Sequence, residues 1–406
     1  MILLFYIFGA LLVFLSYKSF RGGIAYLNYF KSELGKPRSG YTPFVSLIVP
    51  CRGLDDGLEN NLLTLLRQEY PAYEVIFVVD DADDPAAAVI ENVKGKFQGR
   101  DAETQRFIDT GLIVASKARG SSQKVENLRE AVLHADARSE VFAFADSDAR
   151  PSADWLRSLV APLADESVGA TTGYRWFISR QPNLATEMRS VWNASIASAL
   201  GPNTKSNFCW GGAMAVRRET FGKLDIRERW RGTLSDDFAV TRAMGAAGLP
   251  IRLVPQALTA SLENCTFREL LEFTTRQMKI TRVYAPNLWM LSFFGSGLFT
   301  FVMLAAFSIV IFSRGNFPAV WAAAVTILLV SFFSIGKSWL RLKAVKLALP
   351  GYDQQLKRQF LPQNTLWLLS PPLFLYNCLA AWASRRMKWR GTRYELVSPS
   401  ETKLLD

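Results

Sequence analysis

The sequence holds one histidine, His134, and four cysteines among 406 residues. A single histidine argues strongly against a histidine-built metal site and against a Ser-His-Asp triad. Acid–base chemistry in this chain therefore falls to carboxylates. Cys51, Cys209, Cys265 and Cys378 are far apart and show no CxxC spacing. That excludes a zinc ribbon and a disulfide scaffold. Internal repeats and low-complexity tracts are absent. Charged residues make up only 20% of the chain against 50% hydrophobic ones, so there is ample apolar material for a core and disorder is excluded.

The net charge is +11. Residues 287–406 carry 13 Lys/Arg and 4 Asp/Glu, and residues 18–38 carry 5 and 1. Residues 39–286 carry 29 basic and 31 acidic side chains. The basic excess flanks apolar segments and avoids the polar middle. That distribution predicts membrane-surface anchoring and no nucleic-acid partner.

Met1 to Tyr17 is uncharged and is followed by Lys18 and Arg21. It lacks a basic start and a small-residue cleavage site, so it reads as an uncleaved N-terminal anchor over 1–17. Residues 288–312 and 317–336 are uncharged runs, each long enough for a helix that crosses a hydrocarbon core. Ser313, Arg314, Gly315 and Asn316 join them as a hairpin. Residues 361–384 form another uncharged run, broken by Pro371-Pro372, and are expected to be re-entrant or spanning. Residues 385–406 read as a basic tail.

The region 18–286 reads as one α/β domain ending in an interfacial helix. Val45–Pro50, Tyr73–Asp80, Leu112–Ala115 and Val141–Ala145 are short apolar runs of strand type. Leu58–Glu69 and Lys124–Ala137 read as helices. Continuous apolar strands alternating with helices predict a parallel sheet covered on both faces. Acids at the C-terminal ends of such strands lie where these folds bind ligands.

Asp80, Asp81, Asp83 and Asp84 follow the second strand. Either Asp80 or Asp81 can face the cleft and accept hydrogen bonds from a base or ribose. Asp146-Ser147-Asp148 follows the VFAFA strand. Two carboxylates at that spacing can share one hard cation, Mg2+ or Mn2+, and bridge it to a diphosphate. Ser235-Asp236-Asp237 precedes the helical run Phe238–Ala247. It can cap that helix, and a carboxylate there can also serve as a general base. Arg276, Lys279 and Arg282 share a helix face just before a span, suited either to lipid phosphates or to a leaving diphosphate. Trp210-Gly211-Gly212 permits close backbone approach to a ligand.

In order, VSLIVPCRG, VVDDADDP, ADSDARP, LSDDFAVTRA and RQMKI resemble a family 2-type glycosyltransferase with a GT-A (Rossmann-like α/β) fold. The set is most similar to glycosyltransferase family 21, the ceramide glucosyltransferase group. The tail Trp389-Arg390-Gly391-Thr392-Arg393-Tyr394 resembles that group's WRxxxY element. The resemblance implies that Asp81 contacts uridine and that Lys124 and Asn127 line the nucleotide site. It implies that Asp146 and Asp148 hold the metal and diphosphate. It makes Asp237 the catalytic aspartate and puts Asp236 where the family has Glu. The family's RxxRW reads Arg276-Gln277-Met278-Lys279-Ile280 here, so one Arg becomes Lys and the Trp is lost.

The expected activity is inverting transfer of a hexose, with glucose favoured, from a UDP-sugar to a membrane lipid hydroxyl, ceramide first. Asp237 is the expected base, and Arg276, Lys279 and Arg282 neutralise the leaving group. A different lipid acceptor (a hopanoid or diacylglycerol), a processive polysaccharide synthase and an inactive membrane scaffold are the alternatives. The catalytic domain is expected on the cytoplasmic side of a bacterial inner membrane, or of a Golgi-type membrane if the source is eukaryotic.

Overall fold

The computed structural model describes residues 2–97, 107–313 and 315–405. Met1, Arg314 and Asp406 therefore lie outside the described residues. The strands are β1 (Val45–Pro50), β2 (Ala72–Val79), β3 (Phe107–Val114), β4 (Val141–Ala145), β5 (Ala170–Ile178), β6 (Ala213–Arg217), β7 (Ile251–Leu262), β8 (Arg386–Trp389), β9 (Thr392–Ser398) and β10 (Glu401–Leu405). The helices before the first apolar hairpin are α1 (Ile2–Leu34), α2 (Leu58–Leu66), α3 (Pro85–Phe97), α4 (Gln123–Ala131), α5 (Trp155–Val160), α6 (Leu184–Ala197), α7 (Arg218–Lys223), α8 (Ile226–Arg229), α9 (Asp236–Ala246) and α10 (Phe267–Tyr284). They are followed by α11 (Pro286–Phe312), α12 (Phe317–Ala348), α13 (Asp353–Arg358), α14 (Phe360–Thr365) and α15 (Ser370–Ala383).

The chain forms two compact units. One holds the described residues of 33–176, 199–261 and 386–405. Its main sheet has seven strands in the order β3-β2-β1-β4-β6-β5-β7. β1 pairs in parallel with β2 and β4, and β2 with β3. The buried run Val45, Leu47, Ile48 and Val49 makes β1 a central strand. The sheet is not all-parallel, as expected, but mixed. β6 runs antiparallel to both β4 and β5. β5 carries Thr, Gly and Arg and β6 is rich in Ala, so these two lack the apolar signature of β1 and β2. Val78, Phe142, Phe144, Met214, Trp230 and Val240 fill a core on one face.

Because β1, β2 and β4 are parallel, the loops after them emerge at one edge. They carry Asp55, Asp80–Asp84 and Asp146–Asp148. Residues 386–405, expected only as a basic tail, form a second sheet in the order β10-β9-β8. Tyr394, Leu396 and Thr402 are buried in it.

The other unit holds the described residues of 2–32, 177–198 and 262–385. α1, α11 and α12 are long and apolar enough to cross a membrane. They leave Leu3, Leu291, Phe301 and Leu328 exposed, as lipid-facing surfaces do. Two helices outrun the apolar runs that predicted them. α1 continues past Tyr17 to Leu34, and α12 continues past Gly336 to Ala348. Charge marks the end of the hydrocarbon layer, not the end of the helix. α10 begins at a capping box: the Thr266 hydroxyl accepts from the Glu269 N–H, and the Glu269 carboxylate accepts from the Thr266 N–H. The 361–384 run is bent by 58° between residues 360–368 and α15. Pro371 and Pro372 lie in the first turn of α15, where a missing N–H costs little, so the break falls just before them.

Candidate active site

Lys124 stands at the centre of the acidic edge. Ser122 caps α4 by accepting from the Val125 N–H, which aims Lys124 from the helix's first turn. Its Nζ donates to Asp146 Oδ1 at 2.8 Å and lies 3.3 Å from Asp236 Oδ1. Burial opposes a charge there, but Asp146, Asp236 and Asp237 together hold the Lys124 ammonium above its ordinary range.

Arg175, in β5, closes the other side. Its Nη2 lies 3.0 Å from Asp146 Oδ2, and its Nη1 lies 3.3 Å from Asp148 Oδ2. The guanidinium also stacks 4.7 Å from the centre of the Trp210 ring. Burial works to raise the Asp146 pKa, yet Lys124, Arg175 and Arg390 hold this carboxyl below its ordinary range. Nothing in the spacing of the motifs announced Arg175. Its one signal is a charge inside the strand run Thr172-Gly173-Tyr174-Arg175-Trp176-Phe177.

The third acidic pair sits at the start of α9. Asp236 is buried, and its Oδ2 has no hydrogen-bond partner. Burial pushes its carboxyl up to about 6; Lys124 opposes this, while Asp237 and Asp146 add to it. Asp237 is only half-buried. Ser235 Oγ donates to its Oδ1, which also accepts from the Phe238 N–H at 2.8 Å. The Gly211 N–H faces its other oxygen at 3.3 Å. Asp237 is thus fixed at a helix N-terminus yet reachable, whereas Asp236 is sealed behind it.

The two glycines are required by this packing. A Cβ on Gly211 would lie 2.3 Å from Asp236 Oδ2 and 2.8 Å from Lys124 Nζ. A Cβ on Gly212 would lie 2.6 Å from Asp146 Oδ2 and strike the Trp210 ring. The backbone comes this close to the carboxylates because no side chain intervenes.

The remaining expected residues fall in three places. Asp81 is exposed and shares Lys117 with buried Asp80, at 3.0 and 3.1 Å. The Lys117 hydrogen bond, then one from the Asp83 N–H, hold the Asp81 carboxyl below its ordinary range. Asn127 is buried and accepts from Gln123 Nε2 at 2.9 Å. Gln123 in turn holds Ser116 and Ala118, so Asn127 shapes the loop before α4. Arg276, Lys279 and Arg282 are on α10, in the other unit. There Arg282 donates to the carbonyls of Ala381 and Trp382 at 2.6 and 3.0 Å, closing the end of α15. Arg276 lies over the Phe273 ring. Burial depresses the Lys279 ammonium.

The sequence profile of glycosyl transferase family 21 matches residues 14–401. The chain belongs to that family. A ceramide glucosyltransferase of Candida albicans is 24% identical over 172 residues, 41% of this chain and 30% of the relative. Another, of Gibberella zeae, is 26% identical over 176 residues, 40% and 32% of the two chains. The chain thus spans about a third of the length of the curated relatives it matches. Among solved structures, a mannosyltransferase from Pyrobaculum calidifontis in complex with GDP-Man and Mn2+ superposes with a TM-score of 0.50. It is 19% identical and covers 86% of this chain and 99% of its own. The fold of this family 21 chain is GT-A.

The site also has the chemistry for a divalent ion. Asp146 and Asp148 both reach the Arg175 guanidinium, so their carboxylates stand side by side at the same edge. Among the described residues no group of three His, Cys, Asp or Glu could hold a metal. Two carboxylates suffice for Mg2+ or Mn2+, which keep water and substrate phosphates as their other ligands. The donor set fits.

Proposed function

We propose that this family 21 chain transfers a hexose, with inversion, from a UDP-sugar to the hydroxyl of a membrane lipid. Glucose and ceramide are the favoured pair. The observation that carries this reading is the pairing of a reachable Asp237 with the Lys124-Asp146-Asp148-Arg175 cluster across Gly211 and Gly212. One part can take a proton, and the other can hold a diphosphate.

Asp237 Oδ2 takes the proton of the acceptor hydroxyl as its oxygen attacks the anomeric carbon. The new C–O bond forms while the bond from that carbon to the diphosphate breaks, and the nucleotide leaves as UDP. Lys124 and Arg175 keep Asp146 ionised, and Arg175 orients Asp148 beside it. Mg2+ or Mn2+ held by Asp146 and Asp148 would supply positive charge against the leaving diphosphate. Asp81 reads the uridine or ribose edge, and Asn127 holds the loop beside it. On this reading Arg276 and Lys279 face the lipid interface, and Arg282 fixes α15. The names of the curated relatives support ceramide as the first acceptor to try. Three apolar helices support an integral membrane enzyme, and the Lys/Arg distribution supports a cytoplasmic catalytic unit; the compact loops favour a bacterial inner membrane over a Golgi-type one.

The test measures UDP release by purified protein with UDP-glucose, Mn2+ and ceramide, beside the Asp237→Asn variant. That variant should lose at least about 100-fold in kcat while binding UDP within a few-fold of wild type. Activity should vanish with EDTA and return with Mg2+ or Mn2+. No UDP release with any sugar nucleotide and lipid would sink the reading. Near-normal turnover in Asp237→Asn would move the base to another carboxylate.

A further inference from the structure

The C-terminal sheet meets the acidic edge through Arg390. β8 and β9 are joined by Arg390 and Gly391, at φ of 47° and 85°. Positive φ at both residues is what a tight two-residue hairpin turn demands. The turn presents the guanidinium to Asp55 as a fork. Nη1 lies 2.6 Å from Oδ1, and Nη2 donates to Oδ2 at 3.1 Å. Nη1 also donates to the Arg52 carbonyl at 3.3 Å.

Asp55 faces two ways. Its Oδ2 also accepts from Ser147 Oγ at 2.8 Å. Ser147 is the middle residue of Asp146-Ser147-Asp148, so the chain Arg390–Asp55–Ser147 stands directly behind the two carboxylates. Asn61 Nδ2 holds the Ser147 carbonyl from another side at 3.1 Å. The far end of the sheet reaches the other acidic loop: a Cβ on Gly232 would lie 2.2 Å from the Ser400 carbonyl oxygen, three residues before Ser235. Burial opposes the Arg390 charge, but Asp55, then Asp148 and Asp146, hold its pKa above the ordinary value.

We infer that the C-terminal sheet is part of the active site, and that Arg390 is a positioning residue for the nucleotide diphosphate, acting through Asp55 and Ser147 on Asp146 and Asp148. The inference rests on reading this edge as a nucleotide-sugar site. Partners one layer behind metal-holding carboxylates fix their orientation, and losing one costs affinity without touching the ligand. The planar fork matters as well as the charge, so lysine should replace Arg390 only in part.

The test uses the full-length protein in detergent, with UDP and GDP each titrated in Mn2+ by calorimetry. Arg390→Gln should raise the dissociation constant of whichever nucleotide the wild type binds by about 10- to 100-fold. Arg390→Lys should fall between the two. Donor KM should rise with them while kcat at saturating donor stays within a few-fold. Asp55→Asn should match Arg390→Gln, and the double variant should be no worse than either, as for residues acting in one chain. A folded Arg390→Gln with an unchanged dissociation constant overturns the inference alone. If Arg390→Gln does not fold, Arg390→Lys decides by the same comparison. A wild type that binds neither nucleotide overturns the nucleotide-site reading and this inference with it.

Discussion

Lys124 Nζ sits 2.8 Å from Asp146 and, with Arg175, holds this half-buried carboxylate in its ionised form. The same ammonium reaches Asp236, so one cation serves two loops that are far apart in sequence. Replacing Lys124 by Met leaves those acids facing one another with one cation fewer. The expected loss of stability is about 3–5 kcal/mol, as for a buried pair that loses one partner. Thermal unfolding in detergent checks it, and an unchanged Tm would show that Arg175 alone balances the acids.

The buried Asp236 gives a pH dependence with a definite sign. Its folded value of about 6 lies above the ordinary carboxylate value. The folded state therefore holds a proton that the unfolded state has released. That preference stabilises the fold fully below about pH 4 and is lost as pH rises through about 6. Asp236→Asn removes this slope. The Tm difference between wild type and variant, followed from pH 4 to 8, should move steadily in favour of the variant and level off above about 7. A flat difference would mean that Asp236 does not change protonation on folding.

The sequence showed some of this and concealed the rest for physical reasons. β1, β2 and β4 are buried on both faces, so they read as unbroken apolar runs. β3 is an edge strand with an exposed Asp109 and a half-buried Thr110, and only its last residues looked like a strand. Asp146, Asp148 and Asp237 were legible because they follow strands or precede a helix. Arg175 and Asp55 were not, since each acts on residues far along the chain and neither belongs to a spaced motif. Arg390 was visible only as one letter of a tail element. Its Asp55 partner lies 335 residues away.

Gly211 offers a test that adds one methyl group and no charge. Its Cβ would fall against a fixed carboxylate and an ammonium, neither of which can retreat without uncoupling Asp146 from Asp236. Gly211→Ala should keep its secondary structure and lose at least about 100-fold in activity, the scale of an ångström misplacement in a reacting site. Gly222→Ala, with nothing within 4 Å, should be indistinguishable from wild type. Full activity in Gly211→Ala would show that the site relaxes and that close backbone approach is not needed.

The last prediction concerns which side of the membrane the tail occupies. Residues 386–405 belong to the same compact unit as residues 33–176, so the chain between that unit and the tail must cross an even number of times. α11 and α12 are each long and apolar enough for one crossing, two in all. A third, through residues 360–383, would put the tail on the wrong side and part Arg390 from Asp55. The bend before α15 resolves the conflict. It divides the run into a short piece and α15, 14 residues long, each too short to span a core that needs about 20 helical residues. Broken backbone at membrane depth must be covered by protein. Here Gln363 bonds Arg341 at 3.0 Å and Ser190 at 3.1 Å, and Asn377 accepts from Thr274 and Thr275. These polar contacts face protein, as a re-entrant pair requires. The Lys/Arg excess of the tail and of residues 337–360 agrees with a shared cytoplasmic side. The four native cysteines are buried, and the labelling is done on a version in which each is replaced by alanine or serine and UDP release is retained. A single cysteine at Glu401, which is exposed, should then resist an impermeant maleimide in intact cells and react once the membrane is opened. Labelling from outside would make residues 360–383 a full span and would separate the C-terminal sheet from the site it is proposed to serve.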